Sequence, residues 1–257
     1  MAASMSSYPD LAGKVAVVTG GSRGIGARTC RFFAANGMKV AVGGRDKDAI
    51  QVVVDAIRAE GGTATGVVAD VTNKAAVAEL LDTTERELGP VDVLAAFAGF
   101  DLGQGPLDGV TEENWHEVID GNLTSTFLTV QAFLPGMMAR GSGSIITMAS
   151  TAGRLAGRAS IPYSAAKAGV LMFTRRVALD AGAGNVRVNA LAPSAILTEK
   201  QEQRIPAEMR EKVAQQFPIA RWGTPEDCAN AALFLASEAS GWITGQTIDV
   251  SGGKVML

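Results

Sequence analysis

The sequence predicts an α/β fold: a single doubly wound domain whose parallel sheet of about seven strands carries helices on both faces. Three observations predict it. Short apolar runs rich in Val, Ile and Ala alternate with longer segments of helical period, and repeated strand–helix–strand units require parallel pairing. A glycine-rich turn follows the first apolar run directly. No low-complexity stretch, charge block or internal repeat divides the 257 residues. Residues 11–257 therefore read as one domain behind a flexible N-terminus at residues 1–10.

The apolar runs are, in order, Val15 to Val18, Val40 to Val42, Ala64 to Val68, Val91 to Ala95, Ser144 to Met148, Val186 to Leu191 and Thr247 to Val250. Among the helical segments the clearest spans about Asn114 to Met138. There Trp115, Val118, Ile119, Leu123, Phe127, Val130 and Leu134 fall on one face. From Ala192 to Gly223 no strand is legible. Ile205, Met209, Val213 and Phe217, spaced by four, predict an amphipathic helix within it. So long an excursion in a compact domain is usually functional, and residues 194–217 are read as a lid over the substrate.

Composition excludes several classes. With 23 Lys and Arg against 26 Asp and Glu the net charge is −3, which gives no footprint for nucleic acid. Cys30, Cys228 and the single histidine, His116, do not make a metal site of the usual spacing, so no metal is expected. Two lone cysteines suggest a reducing compartment, and neither a secretory leader nor a bilayer-length apolar stretch is legible. The expectation is a soluble cytoplasmic protein with no membrane partner. His116 is expected to be structural or solvated, which leaves no Ser-His-Asp arrangement. Trp222 and Trp242 are expected to pack, and Cys30 to be a buried, inert thiol.

Thr19-Gly20-Gly21-Ser22-Arg23-Gly24-Ile25-Gly26 follows the first strand and opens a helix. Glycines let the chain turn tightly and keep side chains off an approaching pyrophosphate, and the helix N-terminus offers free N–H groups to anionic oxygens. The end of the second strand reads Gly43-Gly44-Arg45-Asp46. In a dinucleotide fold an acidic residue here holds the ribose hydroxyls of NAD. Gly44 stands in that place, and Arg45 with Arg23 offers two guanidiniums for the extra phosphate of NADP. NADP(H) is therefore preferred, with NAD(H) possible. Asp46 reads as the N-cap of the following helix. Asp70 either accepts from the adenine amino group or caps the next helix.

Tyr163 and Lys167 stand four residues apart, in a helix that Pro162 helps to start, and so project from one face. A free tyrosine, with a pKa near ~10, is a poor acid or base near neutrality, and an adjacent ammonium would lower that value. The fifth strand runs into Ser150, at a carboxyl end where open α/β sheets place ligands. Asn122 is a polar residue on the mostly apolar face of the long helix.

Together these residues resemble the short-chain dehydrogenase/reductase family over nearly the whole chain, from about Leu11 to Gly253. The family's glycine motif matches Thr19 to Gly26, its Tyr-x-x-x-Lys pair Tyr163 and Lys167, its serine Ser150, and its helix asparagine Asn122. The resemblance implies a Rossmann-type fold and a catalytic set of Asn122, Ser150, Tyr163 and Lys167. In that set the tyrosine protonates the carbonyl oxygen and the serine orients it. The lysine holds the nicotinamide ribose, and the asparagine places a water linking the lysine to solvent. Cofactor contact is then expected at Gly20, Ser22, Arg23, Gly24, Ile25, Gly26, Arg45, Asp70, Val71, Ala98, Gly99, Tyr163, Lys167, Pro193 and Ile196. The resemblance also implies a homotetramer packed through the helices at Asn114–Met138 and Tyr163–Asp180. The chain departs from the family's common pattern at Ala96-Phe97 (for Asn-Asn), Ser194 (for Gly) and Ser251 (for Asp).

Three functions are compatible with this pattern. The first is NADPH-dependent reduction of a ketone or 3-oxoacyl substrate. The second is NAD-linked oxidation of a sugar or other secondary alcohol. The third is cofactor binding without turnover. Segments 100–107, 152–159 and 194–217 should shape the pocket, and Leu102, Leu155, Ile196 and Leu197 make it lean apolar.

Overall fold

All seven apolar runs form strands: Val15–Thr19 (β1), Lys39–Gly44 (β2), Thr63–Val68 (β3), Val93–Ala96 (β4), Gly143–Met148 (β5), Val186–Pro193 (β6) and Thr247–Val250 (β7). This computed structural model describes residues 5–103 and 105–256. The strands make one parallel sheet in the order β3-β2-β1-β4-β5-β6-β7. Strands at the sheet centre are buried on both faces, which is why they read as continuous apolar runs. All five residues of β1 are buried. Ala16 and Val18 enter one core with Phe33, Val42 and Leu233, and Val15 and Val17 the other with Leu80, Leu94 and Phe133.

The fourth strand starts at Val93, two residues later than its apolar run. Asp92 precedes it, and its carboxylate accepts from the Val15 amide at 2.8 Å.

The helices are Gly24–Ala35 (α1), Lys47–Ala59 (α2), Lys74–Glu87 (α3), Glu112–Ile119 (α4), Ser125–Arg140 (α5), Ile161–Ala181 (α6), Glu199–Arg204 (α7), Ala207–Ala214 (α8) and Pro225–Ala236 (α9). β1 has β2 on one side and β4 on the other. The order of the chain reverses there, and a crevice opens at the carboxyl ends of the strands.

Several expectations change. The long helix begins at Glu112 and ends at Arg140, but α4 and α5 are joined by a π-helical turn at Asp120–Thr124. Inside that turn Asn122 Nδ2 donates to the Val118 carbonyl at 2.8 Å. The amphipathic helix expected through Ile205, Met209, Val213 and Phe217 does not form as one piece. Pro206 cannot continue α7, so Ile205 ends it and α8 restarts at Ala207. Phe217 lies beyond α8 and is buried, whereas Met209 is exposed. Trp242 does not pack: it is fully exposed. Trp222 is half-buried and donates its indole N–H to the Arg210 carbonyl at 2.8 Å. His116 is exposed, 3.6 Å from Glu112.

Part of the N-terminus expected to be flexible carries contacts. Ser6 and Tyr8 donate their amides to Asn230 and Asn36, and Leu11 is fully buried. Residues 1–4 lie outside the described residues.

Candidate active site

The glycine turn is closed by its own backbone. A Cβ on Gly26 would stand 2.1 Å from the Gly20 carbonyl oxygen, and Gly20 and Gly24 hold positive φ of 66° and 51°. No side chain fits at Gly26, so the first turn of α1 lies against the turn with its free N–H groups turned outward. Gly26→Ala is expected to destabilise the protein by roughly 1–3 kcal/mol and to abolish dinucleotide binding. Thermal denaturation with and without cofactor reads both effects, and a cofactor-induced rise in Tm for this variant would contradict the assignment.

A groove of about 340 Å³ runs from this turn across the ends of β2 and β3 to β4. It gathers Gly20, Ser22, Arg23, Arg45, Asp70, Val71, Ala98 and Gly99, all expected from sequence. It also gathers Gly44, Asp46, Ala69, Thr72, Phe100, Gly121 and Lys200, which were not assigned to the cofactor. The open groove and the side-chain-free turn fit an extended phosphate-bearing ligand. Gly44 ends β2 beside Ser22, where a Cβ would meet Ser22 Oγ at 3.2 Å.

The charges here differ in part from expectation. Asp46 does cap α2, accepting from the Ala49 amide at 3.0 Å, but its other oxygen pairs with Arg23 at 2.5 Å. The Ala49 amide and then Arg23 hold its carboxyl below the usual range. The Arg45 guanidinium lies over the Phe100 ring, 5.9 Å from its centroid. Asp70 does not cap the next helix; Asn73 does. Asp70 instead accepts from the Thr72 hydroxyl and amide, and these bonds, with the nearby Arg45 charge, depress its pKa.

Thr19 Oγ1, at the end of β1, accepts from the amides of Phe97 (3.1 Å) and Ala98 (3.3 Å) and so ties β1 to the end of β4. Ala96 and Phe97 are buried. Of the other positions expected to meet cofactor, Ile25 lies in the first turn of α1 and Pro193 ends β6. The Ile196 side chain is turned inward. It lies against Gly223, where a Cβ would stand 2.4 Å from its Cδ1. Leu102 and Leu155 are exposed.

The four catalytic candidates converge beside the carboxyl end of β5. Ser160 caps α6 by accepting from the Tyr163 amide at 3.3 Å, and Pro162 sits in the first turn. Ser150 hydrogen-bonds the Tyr163 side chain. Its hydroxyl also accepts from the Ala152 amide at 3.1 Å and lies 3.4 Å from the Pro193 carbonyl. Lys167 is buried, donates to the Met148 carbonyl at 2.7 Å, and holds its Nζ 5.4 Å from the centroid of the Tyr163 ring. Asn122 is fully buried. Its Nδ2 donates to the Phe100 and Val118 carbonyls, both at 2.8 Å, and its Oδ1 has no partner. That oxygen and Lys167 Nζ both border the space beside Gly99, where a Cβ would lie 2.4 Å from one and 3.1 Å from the other.

The electrostatics correct one expectation. Burial raises the Tyr163 pKa; Ser150 opposes this and the charge of Asp101 adds to it. The net shift is upward rather than the lowering expected from an adjacent ammonium, and burial pushes Lys167 itself down to about 7. Asp101 was missed from sequence. Its carboxylate accepts from the amides of Ser160 (3.3 Å) and Gly103 (3.1 Å).

A parallel sheet with a phosphate turn at its switch point and a tyrosine, serine and lysine at the next crevice defines a dinucleotide-dependent dehydrogenase or reductase. Residues 20–254 match a family model described as enoyl-(acyl carrier protein) reductase. The chain is 42% identical over 249 residues to a 3-oxoacyl-(acyl-carrier-protein) reductase of Synechocystis sp., covering 96% of this chain and 99% of that one. A solved short-chain type dehydrogenase/reductase from Mycobacterium marinum superposes with a TM-score of 0.91 at 35% identity, covering 97% and 98% of the two chains. A 7α-hydroxysteroid dehydrogenase solved with NADH and 7-oxo glycochenodeoxycholic acid does so with a TM-score of 0.91 at 37% identity, covering 97% of each. The chain belongs to the short-chain dehydrogenase/reductase family. It is an oxidoreductase that interconverts a carbonyl and an alcohol with a nicotinamide cofactor.

Proposed function

We propose that this enzyme reduces a ketone or 3-oxoacyl substrate with NADPH, using Tyr163 as the proton donor. The observation that carries the cofactor choice is the end of β2, where Gly44 leaves no carboxylate for a ribose and Arg45 follows in the same groove. The cofactor supplies the hydride. Tyr163 gives its proton to the carbonyl oxygen, Ser150 holds that oxygen by hydrogen bonding, and Lys167 and Asn122 line the inner wall. The substrate class follows the Synechocystis relative.

Arg45→Ala is expected to weaken NADPH binding about tenfold, the loss of one charge-assisted bond of roughly 1.5 kcal/mol, and to leave NADH binding unchanged. Titrating both cofactors by fluorescence and following their oxidation with a panel of ketones and short 3-oxoacyl esters tests the reading. Faster turnover with NADH by the wild type would reverse it. That second reading has specific support: Asp46 already pairs with Arg23, and the hydroxysteroid dehydrogenase was solved with NADH.

The finer organisation follows the same reading. Residues 11–257 act as one unit with 194–217 as the lid. Trp115, Phe127, Met172 and Leu179 expose apolar surface on α4, α5 and α6, which supports packing of these helices in a homotetramer. No described helix is long and apolar enough to cross a membrane. The two free, buried cysteines agree with work in the cytoplasm.

A further inference from the structure

We infer that Lys200, carried by the excursion between β6 and β7, engages the pyrophosphate of the cofactor and latches α7 onto it. This deepens the reading above and rests on its dinucleotide, not on the choice between NADPH and NADH. Lys200 borders the same groove as Gly20, Ser22 and Arg23, although it is contributed by a segment read from sequence as belonging to the substrate. Its place along the groove is set by Thr198, the N-cap of α7. The Thr198 methyl lies 3.1 Å from where a Cβ of Gly24 would stand. Gly24 opens α1, so Lys200 follows two residues after a contact made at the phosphate end of the groove.

The charge balance gives Lys200 its task. The N–H groups at the start of α1 offer hydrogen bonds to a pyrophosphate, and its two negative charges leave room for a full positive charge beside them. Arg23 is paired with Asp46, and Arg45 rests on Phe100. Glu202, on the same short helix, is taken up by Arg210 at 3.1 Å, and Glu199 lies next to Lys200 in sequence. Lys200 is exposed and makes no ion pair among the described residues. A long flexible stem ending in a point charge suits a phosphate oxygen approached from across a groove. Its contact would couple the excursion to bound cofactor, because nothing else on α7 reaches the groove among its described lining residues.

The test is Lys200→Met, which keeps the stem and removes the charge. Fluorescence titration with NADPH and with NADH should show both binding about tenfold more weakly, by the same factor. Binding of 2′-AMP, which has no pyrophosphate, should not change, and Lys200→Arg should restore both dinucleotides. Either cofactor should protect Glu202 and Glu208 from a glutamate-specific protease in the wild type and lose that protection in Lys200→Met. A loss confined to NADPH would put Lys200 on the 2′-phosphate and overturn the proposal, as would unchanged affinity for both. If the wild type bound neither dinucleotide, the cofactor reading itself would fail and this proposal with it.

Discussion

Tyr163→Phe is expected to lose at least ~10²-fold in kcat/KM while binding cofactor as the wild type does. Phenylalanine keeps the ring and its packing and removes only the hydroxyl that Ser150 bonds. Its neighbours are poor substitutes as proton donors: Asp101 is a carboxylate that accepts from the Ser160 and Gly103 amides, and Lys167 is turned to the Met148 carbonyl. The raised pKa of Tyr163 adds a sign to the pH dependence. A phenol whose pKa lies above its ordinary value stays protonated through neutral pH, so reduction, which spends that proton, should be nearly flat there. Oxidation needs the phenolate and should climb with pH toward the alkaline limb. Steady-state kinetics in both directions, with cofactor titrations of the variant, check all of this. Turnover near wild type in Tyr163→Phe would remove tyrosine from the chemistry.

Lys167→Met should do the unusual thing of disabling the enzyme while stabilising it. Lys167 is buried with one hydrogen bond, to the Met148 carbonyl, and no carboxylate partner among the described residues. Burying a charge without a counter-ion is costly, and replacing it by an apolar chain of similar length removes that cost. The Met148 carbonyl then loses its donor, which gives back part of the gain. A net rise of about 1–2 kcal/mol at pH 6.5 is expected. The pH window follows from the shift. Burial lowers this group from 10.5 in the unfolded chain to about 7 in the folded one. The penalty is therefore complete below pH 7 and fades as pH rises from 7 toward 10.5. The advantage of the variant should shrink accordingly between pH 6.5 and 9.5. Urea denaturation at those two values decides it. A variant less stable than the wild type at pH 6.5, or a difference that ignores pH, would mean that the lysine carries no such cost. Lost turnover with raised stability would mark Lys167 as kept for chemistry rather than for folding.

Much of this was legible in the amino-acid order because the dominant signals are local. Strands buried on both faces write themselves as apolar runs, and β7 falls where its run predicts. The glycine turn, Tyr163 and Lys167 sit at fixed spacing on one element each. What sequence reasoning missed depends on approach between distant segments. Lys200 reaches the groove only because the excursion folds back over Gly24. Asp101 matters only because its loop meets the start of α6. The π-turn at Asp120–Thr124 has no compositional signal in the sequence, although within it Asn122 Nδ2 bonds back to the Val118 carbonyl. The break after Ile205 has a local cause, since Pro206 overrides the apolar spacing on either side of it. The pairing of Ile196 with Gly223 is likewise invisible locally, because it joins segments 27 residues apart in sequence.

The order β3-β2-β1-β4-β5-β6-β7 also governs when competence arises as the chain folds. β1, β2 and β3 are successive in sequence, so the turn at Gly20 and the ends of β2 and β3 can come together from the first third of the polypeptide. β4 must return past all of them to dock on β1, and β5 and β6 must then add in turn. Each docking closes a long loop before any contact repays the lost chain entropy, which makes parallel sheets slow to assemble. The nucleotide half of the crevice is thus available to form early. The proton-transferring half arrives last, and during synthesis a partly emerged chain would hold an anion-binding turn long before it held a catalyst.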